Sequence, residues 1–593
     1  MTRISLLTVA LAATLCVTAG AQSSQDATTP TKATKSHKKA ESSSEEIRLL
    51  REQLQKQQSE IDALKTKVSA GDQQVTSATQ AAADAQTQAA AAQAAAAQAS
   101  STSAATATKV DDISSSVTDL KASNAGITET IVTNQANLAA DMESPAALRY
   151  KGVTITPIGF FAAESFYRQR SLNSDINTPF NSTLYSGAAQ YNTSEWGESG
   201  RQSRLGVKVQ GKLGKADLMG YFEGDFLGAG TTSNDNQSNS YVFRQRQFFA
   251  QIAFHSGFTL SGGQMWSLVT ETKNSTDPTS EVLPTTPDAQ YHVGFSWARQ
   301  PGLRFSQKKG IATYALGLES GEYIFSASNA NSNFFFGNAG TGGGLLNATA
   351  NYSNNVLPDV ILKATFDTKV GHYEIGGIAR WFRDRYYPTS GSPTNNTKTG
   401  GGFFANAHIP MTHYFGLGLH VMQGDGVGRY GTATLPDITV HPDGTLVPIR
   451  SSQGLLSLEF HPAKKFDLLG YAGAEYAQRT VYDTGSKLVG YAPISTPVAS
   501  CYTEAAPTGS TGYAPGANCG AATRVLVEGT VSGVYRFYNG PKGRVQLNIA
   551  YSILQRNAWA GTIAGTVYNA PTATASPSGR NNMVFTSLRY YIP

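Results

Sequence analysis

From about residue 153 to the C-terminus, apolar and polar residues alternate in short runs with a period of two. In "RQSRLGVKVQGKL", Leu205, Val207, Val209, Gly211 and Leu213 share one face, and Arg204, Lys208, Gln210 and Lys212 share the other. "GRVQLNIAYSILQRN" repeats the arrangement, with Val545, Leu547, Ile549, Tyr551 and Ile553 opposite Arg544, Gln546, Asn548, Ser552 and Arg556. Successive side chains of a strand point to opposite faces, so each run predicts a strand with one apolar and one wet side. A soluble sandwich tolerates this pattern, whereas a barrel wall facing lipid requires it.

Sixteen strands are predicted, at 153–169, 201–213, 215–228, 241–256, 257–268, 291–308, 310–328, 357–368, 370–386, 400–411, 412–424, 452–462, 464–481, 523–538, 541–558 and 580–593. The connections discriminate further. Seven short turns ("GK", "HSG", "QKKG", "KVG", "MTH", "PAK" and "NGPKG") alternate with eight long loops rich in Gly, Ser, Thr, Asn and Pro. Short turns on one side, long loops on the other and an even strand number predict an all-β transmembrane barrel over 150–593, with both chain ends on the short-turn side. The terminal "NNMVFTSLRYYIP" is an amphipathic strand similar to the assembly signal of such barrels, although it ends on Pro593 where Phe or Trp is usual.

Upstream the period is seven. With Ile47 at position a, Leu54, Ile61, Val68 and Val75 follow at a, and Leu50 and Leu64 fall at d. The same register runs through an Ala/Gln-rich stretch to Val110, Val117, Asn124, Ile131 and Leu138 at a and Ile113, Leu120 and Ile127 at d. Two apolar zippers in one register predict a continuous α-helical coiled coil over 44–140, about 130 Å long if wholly helical. Its Ile-rich ends favour three strands over two. Residues 22–43 are a polar Ser/Thr/Lys leader, read as a flexible linker, with contact to an anionic cell wall as the alternative. Residues 1–21, with Arg3, an apolar run and Ala19-Gly20-Ala21, read as a signal peptide, so the chain is exported.

Composition changes the picture little. The formal charge is +5, with 15% charged and 40% hydrophobic residues, which with export argues against nucleic acid. Cys501 and Cys519 share one Gly/Pro/Thr-rich segment with no His or Cys partners for a metal, so a loop-closing disulfide is expected.

In a pore, charge on the inner wall sets which solutes pass. By parity the inward cations are Arg204, Lys208, Arg304, Arg380, Arg524, Arg536, Arg544, Arg556 and Arg589; the inward acids are Asp217, Glu223, Asp225, Glu374, Glu459 and Glu528. Arg244 and Arg246 share parity with apolar Phe248 and Ile252, so they are either turned inward by a bulge or at headgroup level. The third long connection, Val269 to Gln290, carries Glu271, Lys273, Asp277, Glu281 and Asp288. Folded inward it would set an acidic loop against a basic wall; an external loop is the alternative. No cofactor motif or catalytic constellation stands out. "GVGRYG", Gly426 to Gly431, matches GxGxxG but lies in a loop with no following helix.

With this architecture, "SRLGVKVQG" (Ser203 to Gly211), "GGQMWS" (Gly262 to Ser267) and "ARQPGLRFS" (Ala298 to Ser306) resemble segments of the DcaP-type trimeric outer-membrane porins. That resemblance implies a homotrimer in outer-membrane lipid, with the stalk in the periplasm. It further implies passage of small, preferentially anionic solutes, dicarboxylates among them, through an Arg-lined lumen. The alanine-rich stretch and the loop with two Cys depart from that family. The sequence therefore predicts a coiled-coil-tethered porin passing small anionic or neutral solutes, with a non-conducting tether or adhesin as the rival.

Overall fold

The computed structural model describes residues 115–132, 147–228, 241–337, 353–506, 519–565 and 567–593. The chain divides into a unit ending at Ala136 and a unit from Asn137 onward. In the first, residues 115–132 form one helix, on which Val117, Leu120, Ile127 and Ile131 are all exposed. The expected signal peptide, leader and remaining stalk lie outside the described residues.

The second unit is a closed antiparallel barrel of sixteen strands. In chain order these are β1 (Val153–Arg168), β2 (Arg204–Leu213), β3 (Ala216–Gly228), β4 (Val242–Phe254), β5 (Phe258–Trp266), β6 (Arg299–Lys309), β7 (Ala312–Glu319) and β8 (Asp359–Thr368). The second half comprises β9 (Gly371–Tyr386), β10 (Thr394–Pro410), β11 (Phe415–Asp425), β12 (Arg450–Ala463), β13 (Phe466–Ala477), β14 (Thr523–Gly540), β15 (Gly543–Ala558) and β16 (Ser578–Tyr591). Each strand pairs with the next, and β1 closes on β16 from Phe160 opposite Tyr591 to Arg168 opposite Met583. Leu148–Tyr150, Glu195–Ser199 and Phe334–Phe335 extend the wall as short outliers.

The alternation of the sequence becomes an outside and an inside. Leu205, Val207, Phe248, Ile375, Leu419, Val527, Val531, Ile549 and Leu588 are exposed on the outer face. Tyr314, Tyr414, Phe415, Phe466, Tyr535 and Tyr590 are exposed near the short-turn end, where aromatic rings flank the apolar band of a membrane barrel. Gly214, at φ 57, makes the tight first turn that a side chain would strain. Among the described residues no helix is long and apolar enough to cross a membrane, which has no bearing on strands.

Two strands are shorter than the alternation predicts. The sixth begins at Arg299 instead of residue 291, and the seventh ends at Glu319 instead of 328. Tyr291, Val293, Phe295 and Trp297 alternate as in a strand, yet His292, Val293, Phe295 and Ser296 are all buried, so the segment is packed on both sides and belongs to a loop inside the barrel. The tenth strand instead starts early, at Thr394, extending its hairpin with β9.

The loop end of the interior is filled. Ile176 and Phe180 from the first long loop, Val293 from the third, Leu435 and Ile449 from the sixth and Tyr491 from the seventh pack on Phe166, Leu526, Leu554, Met583 and Phe585 of the inner wall. Burying one such side chain contributes roughly 1.5–3 kcal/mol. The barrel therefore holds its apolar core where parity alone would place water.

Candidate functional site

The third long loop, residues 267–298, determines how much of the interior stays open. Its base is closed by the Ser267 N–H donating to the Ala298 carbonyl at 2.8 Å. From there it crosses to the far wall, because β13 lies half-way around the ring from β5. Four wall glutamates accept four of its backbone N–H groups: Glu319 of β7 from Leu268 (2.7 Å), Glu374 of β9 from Thr272 (3.0 Å), Glu475 of β13 from Gly294 (2.8 Å) and Glu528 of β14 from Val293 (2.9 Å). Each carboxyl oxygen accepts a backbone N–H that would otherwise be buried without a partner, so the wall glutamates pin the loop's backbone. At the far wall the contact leaves no room for side chains. A Cβ on Gly473 would stand 1.8 Å from the Val293 carbonyl, and one on Gly294 would stand 2.0 Å from that of Gly454.

Arginines hold the loop from the other side. Arg304 of β6, buried, donates to the carbonyls of Trp266 (2.6 Å) and Thr276 (2.9 Å). The register shifts between Glu223 and Gly224 where β3 pairs with β4, and this bulge turns Arg246 inward. Arg246 then donates to Glu223 and Asp225 (both 2.7 Å) and to the Tyr291 hydroxyl at 3.0 Å; Arg244 bonds Asp225 at 2.9 Å. Period-two counting cannot see an inserted residue, which is why the sequence left these two arginines unplaced.

Between the loop and the short-turn end lies a cavity of about 680 Å³. Arg204, Arg536, Arg544 and Arg589 line it, with Glu459 and Asp467 from the wall and Glu281 from the loop. Three of the arginines face acids: Arg204 has Glu223 at 3.4 Å, Arg589 has Glu164 at 2.7 Å, and Arg536 pairs with Asp467. Arg544 has no carboxylate partner among the described residues; its guanidinium stacks 4.1 Å from the Tyr591 ring, and its Nε is buried without an acceptor. Lys208 is half-buried on β2 and likewise has no ion pair among the described residues.

The loop acids carry less charge than their number indicates. Burial pushes the Glu281 carboxyl up to about 8 and that of Asp288 up to about 6, and burial with the neighbouring Glu374 raises Glu271 well above the usual range. Asp288 accepts from Thr178 N at 3.0 Å, tying the third loop to the first, while Asp277 caps its own turn through Thr279 N at 2.9 Å.

No protein-family model matches the sequence, and no curated protein matches it. Solved structures do. The outer membrane channel DcaP of Acinetobacter baumannii aligns over 75% of this chain and 99% of its own, at 14% identity and a TM-score of 0.50. The barrel shares the fold of DcaP. Outer-membrane expressed OmpT of Vibrio cholerae (11% identity, 75% of this chain and 99% of that one, TM-score 0.38) and an anion-selective porin from Comamonas acidovorans (11%, 74% and 100%, 0.39) also align.

In this DcaP-like barrel the remaining predicted positions serve the loops. Arg380 is fully buried and bonds Asp359 at 3.0 Å and Asp437 of the sixth loop at 2.8 Å. Arg556 donates to Thr523 Oγ1 (2.8 Å) and to the Thr183 carbonyl of the first loop (2.9 Å). Arg524 sits at a bulge in β14, 5.7 Å from the Trp559 ring. Cys501 and Cys519 are joined by a disulfide with Cα atoms 4.9 Å apart, and the Cys501 carbonyl accepts from Gly187 N at 2.8 Å. Within the Gly-rich 426–431 segment, Tyr430 is buried and donates to Asp359 at 2.8 Å.

Proposed function

We propose that the protein is an outer-membrane porin through which small hydrophilic solutes diffuse passively, with a mild preference for anions, dicarboxylates among them. Arg544 carries the reading. It is a cation on the cavity wall that no acid among the described residues neutralises, in a chamber where the other arginines are paired. A solute carboxylate matches a guanidinium fork, and selectivity follows from the charges a solute meets, not from the total on the wall. Arg204, Arg536, Arg589 and Lys273 of the loop are the other cations of that lining, and Lys208 adds a cation further along β2. Residues 267–298 act as the constriction loop, and Arg304, Arg380 and Arg556 hold the loops that shape the path.

Both ends of the barrel lie on the short-turn side, which supports a periplasmic stalk. The coiled coil of residues 44–140 trimerises the barrels, and the leader of residues 22–43 reaches towards the cell wall. A non-conducting tether or adhesin is the second reading, favoured by the apolar core at the loop end. Conductance and reversal potential of full-length protein in a planar bilayer under a KCl gradient decide between them. Triple-step openings with anion-selective reversal, weakened by Arg544→Gln, support the porin. Folded, heat-modifiable protein that never conducts overturns it.

A further inference from the structure

Every one of the seven short turns carries a basic residue. Lys215, Lys309, Lys369, Lys464 and Lys542 stand at five of them, and His255 and His413 at the other two. Lys465 doubles the charge at one of the five, while Lys212 and Lys308 stand just before two others on the inward face of β2 and β6. All eight lysines are exposed, and among the described residues only Lys308 has an acid within ion-pair reach, Asp367 at 3.9 Å. Of the acids of this end, Glu459 and Asp467 face the cavity, while Asp217 is exposed and lies 3.8 Å from His255, so the unopposed charge of the rim is the lysines'. The loop end differs. Its cations are chiefly arginines in pairs, such as Arg168 with Glu195 and Arg450 with Asp425, both at 2.9 Å.

We infer that this rim is a binding ring for the phosphates of anionic phospholipids in the leaflet on the short-turn side. The inference rests on the membrane reading but not on conduction. Three observations carry it. The charge runs around the circumference, from the β2–β3 turn to the β14–β15 turn, whereas a protein partner would meet one arc. It lies at the end where Tyr314, Phe415, Phe466, Tyr535 and Tyr590 mark the edge of the apolar band, so the ammonium groups reach the headgroup layer. And the residue is lysine, a flexible, strongly hydrated point charge that suits mobile phosphates, where the buried loop contacts use arginine's rigid fork.

The test reconstitutes full-length protein in nanodiscs of phosphatidylcholine containing a minority of phosphatidylglycerol and measures the lipid retained on mild extraction. Retention of phosphatidylglycerol above its input ratio is expected, about fivefold at a site where one lysine engages one headgroup, and it falls as salt is raised. Two half-ring variants, K215Q/K309Q/K369Q and K464Q/K465Q/K542Q, should each lose about half of that enrichment, while K487Q at the loop end should lose none. Each half-ring variant changes only exposed side chains, so folding is checked by heat-modifiability and retained. Retention at the input ratio, or enrichment that survives in both half-ring variants, overturns the inference while leaving the porin reading intact. Enrichment lost from one half only confines lipid binding to one arc and overturns the ring.

Discussion

The two ends of the barrel interior are built from the same strands and become opposites. Towards the short turns, β14, β15 and β16 present Arg536, Arg544 and Arg589 to an open cavity, which Arg204 at the start of β2 also lines. A few residues along, β14 and β15 present Leu526 and Leu554, fully buried under the loops. The difference is made by what covers the wall. Turns of a few residues cannot reach back inside, whereas the long first, third, sixth and seventh loops can, and they meet an inner face prepared for them with apolar side chains and acceptor carboxylates. An inward charge is therefore a solute contact at one end and a structural clamp at the other.

The sharpest way to break this comparison is Arg380→Ala. It leaves Asp359 and Asp437 buried without their cation, and removing one partner of a buried pair costs about 4 kcal/mol. The denaturant midpoint of refolded barrel should drop markedly; a midpoint like that of wild type would mean that water already reaches these acids. Next is Leu554→Ala, which opens a hole in the loop-end core and should cost about 3 kcal/mol. The matched change at the other end, Arg544→Gln, should leave the midpoint unaltered and shift only the reversal potential. Equal losses from both would erase the distinction between the ends.

How far the sequence carried follows the same division. Sixteen strands and seven turns were legible because lipid demands an unbroken apolar face and short turns leave little freedom. The β6 boundary was not, since Tyr291 to Trp297 satisfies the period of a strand while lying in a loop buried on both faces. Nor was the inward position of Arg246, which depends on one extra residue in β4. At the site, parity placed Arg204, Arg304, Arg380 and Arg544 on the same inner face and could not tell them apart. Whether such an arginine lines a cavity or grips a carbonyl depends on where the loops fold, and a period of two carries no information about that. One signal was available: Phe166, Leu526, Leu554 and Met583 break the polar inner face just where β1, β14, β15 and β16 meet the long loops.

A smaller effect is expected from the anchors of the third loop. Glu319→Ala leaves the Leu268 N–H without its acceptor and the Gln300 side-chain amide with the Tyr430 hydroxyl alone, at a cost of about 2 kcal/mol. Because the loss falls at the loop base, limited proteolysis within residues 267–298 should speed up before global unfolding changes. Protection equal to wild type would mean that Arg304 alone holds the base.

The smallest effect is one of pH, and it ties the loop to the cavity. The Glu281 carboxyl is raised by burial from 4.5 to about 8 in the folded protein, so between those values the native state keeps a proton that the unfolded chain has released. Its contribution to stability is therefore greatest at low pH, declines as pH rises through that window and is flat above about 8. Selectivity moves with it. Below pH 8 Glu281 adds no negative charge beside the arginines; above it the carboxylate appears at the cavity wall and partly cancels their field. Anion preference from reversal potentials should fall as pH passes about 8, and Glu281→Gln should remove that step while leaving the selectivity at neutral pH unchanged. A step that persists in Glu281→Gln would assign it to another group on the wall. A protein with no step at all would mean that Glu281 ionises too far from the solute path to be felt.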